Sequence, residues 1–381
     1  MRKNIHIYPS PFQHESRIFK ETRSLITHQI VDKIIMVGIE DKRLQEYEAL
    51  DEFRYIWRVP LTNFPLLKNK KIRRILHYLE WILKIILFAW REKPDMVNCH
   101  SIFDLPIGVI LKFSVKCILI YDTHELETER NGLKGPLKRL AKIIESLSIS
   151  YVNYLFVVSD SIAEWYQTTY KIHHVAVVKN VPYAHQPHHT KQTPSIFRHI
   201  FNIPENHLLF IYQGALMEGR GIHLLLSVFS KVQQQHIIFM GYGVLEDTIR
   251  QYEQQYSTIH FHAAVPPESV LEYTREADVG ISIIENVCLS YYFCLPNKIF
   301  EYLFSGIPCI VSNFPDMAAM IEHYRCGWTT DVNKEAISAL INSLTRDDVK
   351  KIQQSISIAQ KTIGWHFEET KLIEAYKSLD I

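Results

Sequence analysis

The chain has 381 residues, 47% of them apolar and 22% charged, a composition typical of a globular protein of about two domains. Its 42 Lys and Arg residues balance 41 Asp and Glu residues, which excludes the basic surplus expected of a nucleic-acid-binding protein. The six cysteines form no CxxC pair, so the sequence indicates a reducing compartment and no disulfide framework.

The N-terminal segment MRKNIHIYPS lacks the pattern of a signal peptide, because two basic residues lead directly into a short strand. The most apolar stretch, WILKIILFAW at 81–90, is interrupted by Lys84 and is far shorter than the ~20 residues that cross a bilayer. We therefore expect a soluble, cytoplasmic protein.

Apolar runs of strand length alternate with helical patterns along the chain. The first half contains NIHIYP, DKIIMVGI, YIWRVP, DMVNCH, KCILIYDTH, YLFVVSD and HVAVVKNV. The second half contains LLFIYQG, HIIFMGYG, IHFHAAV, DVGISII, PCIVS and GWTTD. Near-continuous apolar strands separated by helices are typical of parallel sheets covered on both faces.

A Pro-, His- and polar-rich segment without a strand run, residues 183–206, predicts a linker. We therefore predict an α/β protein with two doubly wound, Rossmann-like domains, at 1–182 and 207–362, which face each other across a cleft. Ligands bind at the carboxyl ends of strands in such sheets, so the site is expected in that cleft. The histidines of HQPHH at 185–189 lie in the linker and are expected to be solvated, and no metal site is predicted.

A basic segment precedes an apolar helix in residues 66–93, where five cations fall within the first nine residues. Two interpretations stay open. The helix either packs into the core with a solvated first turn, or residues 66–91 bind an anionic membrane surface. In the second case, Trp81 and Trp90 would lie at the headgroup boundary if they are exposed.

Titratable side chains follow two strands of the first half. His100 ends DMVNCH, while His124 and Glu125 follow CILIYD and are expected to project into the cleft. Three further acids in the same loop could bind the hydroxyl groups of an acceptor: Asp122, Glu127 and Glu129. A histidine at a strand end is otherwise most often structural.

Glycine-rich turns follow two strands of the second half, in FIYQGALMEGRGIH and FMGYGVLED. Such glycines allow the backbone to approach a ligand closely, and Arg220 stands at the start of the next helix. The glycines concerned are Gly214, Gly219, Gly221, Gly241 and Gly243. A single turn of this kind more often reflects simple turn geometry.

The segment LPNKIFEYLFSGIPCIVS, residues 295–312, predicts a short helix that begins at Pro296 and ends at Gly306. Lys298 lies in its first turn, where the helix dipole disfavours a cation, and Glu301 follows one turn later. A diphosphate would explain the cation, and a carboxylate there could bind a ribose diol, so a nucleotide sugar is the expected ligand. Alternatively, Lys298 snorkels into solvent or pairs with Glu301.

Four segments of the second half resemble the nucleotide-sugar domain of GT-B glycosyltransferases, specifically the retaining family 4: GALMEGRGIHLLLSVFSKV, GYGVLEDTI, YTREADVGISII and LPNKIFEYLFSGIPCIVS. KPDMVNCHSIFDLPIGVILK and YDTHELETERNG resemble the acceptor-side domain of bacterial surface-polysaccharide enzymes, and 363–381 resembles the closing helix that returns to that domain. The resemblance implies transfer of a sugar from a nucleotide sugar to a glycan acceptor that is linked to a lipid. The reaction would belong to capsule or lipopolysaccharide assembly and take place at the inner face of the cell membrane. It also implies retention and no metal or other cofactor.

By position, Arg220 matches the family's diphosphate-binding cation, and Glu301 matches the second glutamate of its paired-glutamate motif. Two positions depart from the pattern, because Ala215 replaces a common arginine and Phe293 replaces the first glutamate. Lys298, with backbone amides, is expected to replace the arginine. Pro296 and Asn297 are further expected donor-binding residues, and Ser290, Tyr291 and Tyr292 are the substitutes near Phe293. Arg220, Lys298 and His124 are the expected catalytic residues. A GT-B epimerase and a non-catalytic nucleotide-sugar-binding subunit stay open as alternatives.

Overall fold

The computed structural model describes residues 1–62, 69–183 and 196–379. The chain forms two compact units, the first from Met1–Lys179 with Glu368–Ile381 and the second from Asn180–Phe367. Each unit is built on one sheet with connecting helices. The predicted α/β fold with two parallel-sheet domains is therefore confirmed.

The first sheet has eight strands in the order β3-β4-β2-β1-β5-β6-β7-β8. They are β1 (Lys3–Ile7), β2 (Lys33–Ile39), β3 (Tyr47–Ala49), β4 (Arg54–Val59), β5 (Met96–Cys99), β6 (Ile118–Asp122), β7 (Tyr154–Val157) and β8 (Val175–Val177). All neighbours pair in parallel except β3, which pairs with β4 in antiparallel register. The sequence analysis missed β3, because its three residues are not apolar enough to stand out.

The helices of this unit are α1 (Ser16–Thr27), α2 (Lys70–Glu92), α3 (Leu105–Val115), α4 (Gly135–Ser148) and α5 (Asp160–Tyr170). Helix α2 begins where the Asn69 side chain accepts hydrogen bonds from the amides of Lys71 and Ile72. It ends at Lys93, which adopts the left-handed conformation.

Helix α2 buries one side only, through Trp81, Ile85 and Ala89. Trp81 is 1% exposed and donates a 2.9 Å hydrogen bond from Nε1 to the carbonyl of Gly38. Trp81 is therefore a core residue, so it does not meet the condition of exposure under which it would lie at a membrane boundary. Trp90 is exposed, as that interpretation requires. The first residues of the predicted segment, 66–68, lie outside the described residues.

The second sheet has six parallel strands in the order β11-β10-β9-β12-β13-β14. They are β9 (Leu208–Ala215), β10 (Gln235–Tyr242), β11 (Ile259–Ala263), β12 (Val279–Ser282), β13 (Cys309–Ser312) and β14 (Gly327–Thr330). This is the doubly wound order of dinucleotide-binding folds, with the strand order reversing beside β9. Ligands in such sheets bind outside the carboxyl ends of the strands at that reversal.

The connecting helices are α6 (Ile196–Ile200), α7 (Ile222–Phe229), α8 (Glu246–Gln255), α9 (Val270–Thr274), α10 (Leu289–Tyr292), α11 (Asn297–Phe304), α12 (Pro315–Tyr324), α13 (Lys334–Ser343), α14 (Arg346–Ala359) and α15 (Trp365–Lys377). From Glu368 onward, helix α15 belongs to the first unit, where Tyr376 accepts a 2.7 Å hydrogen bond from Asn98.

Part of the expected linker belongs to the core of the second unit. Residues 184–195 lie outside the described residues, but 196–206 contain α6. Phe197 and Ile203 pack into the same core as Ile299 and Leu303 of α11. Sequence reasoning assigned this stretch to a loop because residues 183–206 as a whole are rich in Pro, His and polar residues and show no strand run.

Candidate functional site

The turn after β9 has a backbone that glycine allows and other residues resist. Gly221 has φ of +69°, and a Cβ there would lie 2.6–2.9 Å from atoms of Ile283. The carboxylate of Glu285 accepts a 3.1 Å hydrogen bond from the Gly221 amide, and the Glu285 amide donates to the Gly219 carbonyl at 3.0 Å. Glu285, which the sequence analysis did not single out, therefore holds the turn that carries Arg220.

Gly241 near the end of β10 and Gly243 directly after it allow close backbone packing. A Cβ on Gly241 would lie 1.9 Å from the carbonyl oxygen of Gly214, and one on Gly243 would lie 2.3 Å from that of Leu216. The two glycine turns predicted from the sequence therefore lie directly beside each other, at the carboxyl ends of β9 and β10.

Lys298 lies in the first turn of α11 with its Nζ atom buried, and it has no hydrogen-bond partner among the described residues. The Nζ atom is 3.5 Å from the centre of the Tyr212 ring. Burial, with a smaller contribution from the nearby Arg220 charge, holds the pKa of Lys298 well below its ordinary value. An anion placed here would supply the missing partner and favour the charged form of Lys298.

Glu301 is oriented by the end of β9. Gln213 donates a 2.5 Å hydrogen bond from Nε2 to the Glu301 carboxylate, and its own Oε1 accepts from the Thr274 hydroxyl of α9. Gln213 and Thr274 are both buried and hydrogen-bonded to each other, so together they fix the orientation of the Glu301 carboxylate. Neither residue was predicted, because an isolated Gln on a strand and a Thr on a short helix carry no sequence signal.

A pocket of about 240 Å³ opens over these residues. Five of the predicted donor-site residues line it: Gly214, Gly241, Asn297, Lys298 and Glu301. The lining also includes residues that were not predicted: Gln213, Met240, Tyr242, Ala264, Val265 and Val270. It thus combines one buried cation, one oriented carboxylate and an apolar wall, as a site for a polar ligand with a flat apolar part requires.

Other predicted donor-site residues lie outside this lining. Arg220 stacks on the Tyr291 ring of α10, with 4.6 Å between the guanidinium carbon and the ring centre. Ser290 is buried, and Phe293 packs against the Tyr292 ring. Gly219, Gly221 and Gly243 belong to the turns, and Pro296 caps α11.

In the first unit, His100, Asp122 and His124 lie together at the carboxyl ends of β5 and β6. His100 Nδ1 is 3.0 Å from Asp122 Oδ2 and 3.2 Å from His124 Nε2. Arg17 donates to the same Asp122 carboxylate, with Nη2 2.6 Å from Oδ1. Burial lowers the pKa of His100 to about 4, and the Arg17 charge keeps Asp122 ionised by lowering its pKa well below the ordinary value.

These three side chains are the one group in the described residues whose ligand atoms are close enough to hold a metal ion, all within 4.8 Å. The contact between Arg17 and Asp122 already neutralises the carboxylate that such an ion would need. The residues present therefore fit an ion pair better than a metal site.

The acids expected to bind an acceptor are bound to cations. Glu129 contacts Lys138 at 2.5 Å and Lys142 at 2.6 Å. Glu125 pairs with Arg130 at 3.0 Å.

A second pocket, of about 260 Å³, lies beside β2 and β4 and is lined by Glu40, Asp41, Lys42, Leu44, Glu46, Arg58 and Pro60. The sequence analysis missed this pocket, because its lining comes from loops with no motif.

Two doubly wound units, the second with a pocket over the carboxyl ends of β9 and β10, form the architecture of a GT-B glycosyltransferase. Two family models match the chain, "Glycosyltransferase Family 4" at 34–181 and "Glycosyl transferases group 1" at 195–362. The chain therefore belongs to the GT-B glycosyltransferases of the family 4 type. No curated protein sequence is similar enough to count as a match.

Several solved structures share the fold over the whole chain. Sucrose-phosphate synthase from Thermosynechococcus elongatus is 12% identical with a TM-score of 0.77, covering 100% of this chain and 99% of its own. HepE from Anabaena, in complex with UDP-glucose, is 14% identical with a TM-score of 0.73, covering 100% of both chains. WaaB, a lipopolysaccharide outer core galactosyltransferase, is 14% identical with a TM-score of 0.65, also covering 100% of both chains.

Proposed function

We propose that this glycosyltransferase takes its donor sugar from a nucleotide sugar bound at the pocket of the second unit. The observation that carries the proposal is the buried Lys298 ammonium, which has no hydrogen-bond partner in the described part of the chain and lies beside the oriented Glu301. An unpaired buried donor costs ~1–3 kcal/mol, so a protein retains one where a ligand offsets the cost. A diphosphate would contact Lys298 and Arg220, and the ribose diol would contact Glu301.

The proposed reaction transfers the sugar with retention. The bond between the anomeric carbon and the diphosphate breaks, and a bond to the acceptor oxygen forms on the same face. The departing phosphate takes the proton of the acceptor hydroxyl, so no protein base is needed. Lys298 and Arg220 stabilise the charge that develops on that phosphate. The anomeric configuration of the product, determined by NMR, tests this step, and an inverted product would refute it.

Release of nucleotide and free sugar from a panel of nucleotide sugars tests the donor site. Arg220→Ala and Lys298→Ala should each slow this release, and the double variant should lose less than the product of the two effects, because both cations act on one leaving group. Lys350→Ala, on the exposed face of α14, is the matched control. Normal rates in both site variants would refute the assignment, and conversion of the donor sugar to its epimer would indicate an epimerase.

A lipid-linked glycan acceptor, of the kind used in surface-polysaccharide assembly, is proposed from the surface of the first unit. Helices α2, α3 and α4 pack side by side, and each presents exposed apolar residues at helical spacing. These are Ile72, Ile75, Leu79, Leu83, Leu87 and Trp90 on α2, Ile110 and Phe113 on α3, and Leu137, Leu140, Ile143 and Leu147 on α4. We call them the three-helix surface.

The charge on the three-helix surface favours an anionic lipid surface. The three helices carry ten Lys or Arg residues and three Glu residues, although the whole chain is nearly balanced. One of these acids, Glu145, is buried. Apolar stripes bordered by cations are typical of helices that lie in a membrane interface. No helix of the described chain is long and apolar enough to cross a membrane.

Sedimentation with phosphatidylglycerol and phosphatidylcholine vesicles tests this docking. Each cation near an anionic surface adds ~1 kcal/mol, so Lys70/Arg73/Arg74→Glu should weaken binding to phosphatidylglycerol on the order of a hundredfold. Lys350/Lys351→Glu, on α14, should bind like the wild type. Binding should also weaken with salt, as the Debye length falls from ~10 Å at 0.1 M to ~3 Å at 1 M. The proposal would be refuted if the protein does not sediment with either kind of vesicle, or if it dimerises through the three-helix surface.

A further inference from the structure

The two cations of the second-unit site each lie against a tyrosine ring. The Nζ atom of Lys298 is 3.5 Å from the centre of the Tyr212 ring, and the guanidinium carbon of Arg220 is 4.6 Å from that of the Tyr291 ring. Both distances are within the ~6 Å over which the face of an aromatic ring attracts a cation. In the described part of the chain, neither cation has a carboxylate within ion-pair distance. A ring, and not an acid, is therefore the partner of each charge.

Two acids of the site form hydrogen bonds with neutral groups instead. Glu301, on the same helix as the lysine, accepts a 2.5 Å hydrogen bond from the Gln213 amide. Glu285 accepts at 3.1 Å from the backbone amide of Gly221, the residue after Arg220. The fold thus places carboxylates in the site while keeping them out of ion-pair contact with both cations.

A ring and a carboxylate differ in what they leave for a ligand. A carboxylate would neutralise the cation, and an incoming phosphate would have to displace it. A ring attracts the cation through its quadrupole but carries no net charge, so the cation keeps its charge for the ligand. Tyr212 is completely buried and donates its hydroxyl to the Ala215 carbonyl at 2.8 Å, while Tyr291 packs against the core of the second unit. These contacts fix both rings in place.

We propose that Tyr212 and Tyr291 are positioning residues, which hold the two cations at the diphosphate of the donor and leave their charges uncompensated. This rests on the proposed function, which places a diphosphate on the same cations. One ring orders a flexible guanidinium before the ligand binds, and the other favours the charged form of a buried amine. Tyr291 then acts on the donor through Arg220, whereas the sequence analysis expected it to bind the donor as a substitute near Phe293.

Calorimetry with inorganic diphosphate tests the ring beside Arg220. Without the ring, the guanidinium must be ordered when the ligand binds, so Tyr291→Leu should weaken binding roughly two- to tenfold. Tyr291→Phe keeps the ring and should bind like the wild type. Tyr252→Leu, which removes a partly buried ring of α8, is the matched control. Wild-type affinity in Tyr291→Leu, or an equal loss in Tyr291→Phe, would overturn the proposal.

The same substitution in the Arg220→Ala background separates positioning from packing. Once the guanidinium is removed, Tyr291 has no cation to hold, so Tyr291→Leu should cause no further loss of affinity for diphosphate. A purely structural role, or direct contact between the ring and the ligand, would lower the affinity in both backgrounds. An equal loss in the two backgrounds would therefore overturn the proposal.

The ring beside Lys298 is tested by NMR of the full chain with isotope-labelled lysine, and Lys298→Met assigns the signal. In the ligand-free wild type, the Cε protons of Lys298 should resonate upfield because of the ring current of Tyr212, and an ordinary lysine shift would overturn the proposal. Arg220, Glu301 and Cys294 also act on the pKa of this amine, and none of them changes in the variants. Tyr212→Leu should lower that pKa further, because the ring favours the charged form, and Tyr212→Phe should not. An equal pKa in Tyr212→Leu and the wild type would also overturn the proposal.

Tyr212→Leu leaves a cavity in the core, so its melting temperature is measured first. If it does not fold, the wild-type Lys298 signal and the Tyr291 variants decide. At mildly alkaline pH, a folded Tyr212→Leu should bind diphosphate on the order of tenfold more weakly, since the ligand then charges an amine that has no ring beside it. A wild type that binds diphosphate but releases sugar from no nucleotide sugar would refute the proposed function alone. One that binds no diphosphate would refute both.

Discussion

Replacing Lys298 by Met should stabilise the protein without a ligand and weaken its binding of diphosphate. Met keeps the length and volume of the lysine chain and removes only the buried ammonium, whose Nζ atom has no hydrogen-bond partner among the described residues. The two effects have opposite signs, and they come from the same atom.

The expected magnitudes follow from the surroundings of Nζ. An unsatisfied buried donor costs ~1–3 kcal/mol, and a cation over an aromatic ring returns ~0.5–2 kcal/mol. The Tyr212 ring centre is 3.5 Å away, so both contributions apply. The net gain in the free energy of unfolding should be about 1 kcal/mol, or ~2–4 °C in melting temperature for a unit of this size. The variant also loses the charge-assisted hydrogen bond between Lys298 and the ligand, which contributes ~1.5–3 kcal/mol. Its affinity for diphosphate should therefore fall ~10- to 150-fold.

Thermal and urea unfolding, with and without inorganic diphosphate or UDP, give both quantities. Because the pKa of Lys298 is lowered in the empty site, wild-type binding should take up a proton and weaken as pH rises. Lys350→Met, on the exposed face of α14, controls for the chemical change and should alter neither stability nor affinity. A Lys298→Met protein that is less stable than the wild type, or that binds diphosphate equally well, would refute this reasoning.

Three further changes test other features. Glu301→Gln should abolish the higher affinity for UDP than for 2′-deoxy-UDP, measured by calorimetry, at nearly unchanged stability. If this difference in affinity is retained, the ribose does not bind at Glu301. Gly221→Ala should cost ~1–3 kcal/mol in urea unfolding through strain against Ile283, more than Gly306→Ala, whose Cβ meets nothing within 4 Å; equal costs would contradict the packing argument. Burial raises the pKa of Glu127 to about 7, so its protonated form stabilises the fold at low pH and this contribution is lost as pH rises through 7. Between pH 5 and 7, Glu127→Gln should remove a fall of about 1.4 kcal/mol per pH unit, and parallel stability curves for both proteins would exclude this ionisation.

The sequence by itself determined the fold class and most of the strands. Thirteen apolar runs each became a strand, because a strand buried on both faces must be apolar throughout. The short strand β3 and the core helix α6 escaped notice, because neither forms a long periodic pattern. Trp81 could not be assigned to core or surface from letters alone, since α2 carries apolar residues on its buried and exposed sides alike.

The second-unit site followed from spacing only in part. Lys298 and Glu301 were visible because they contradict the apolar, dipole-favoured pattern of a short helix. Their burial and partners were not visible, since Gln213 comes from β9 and Thr274 from α9, far from α11 in sequence. Likewise, His6 and His100 lie 94 residues apart and meet only because β1 and β5 are neighbours in the sheet. The sequence gives the residue types and the spacing of apolar residues within each helix or strand. The order of the strands in the sheet decides which distant side chains meet, and only the tertiary structure contains that order.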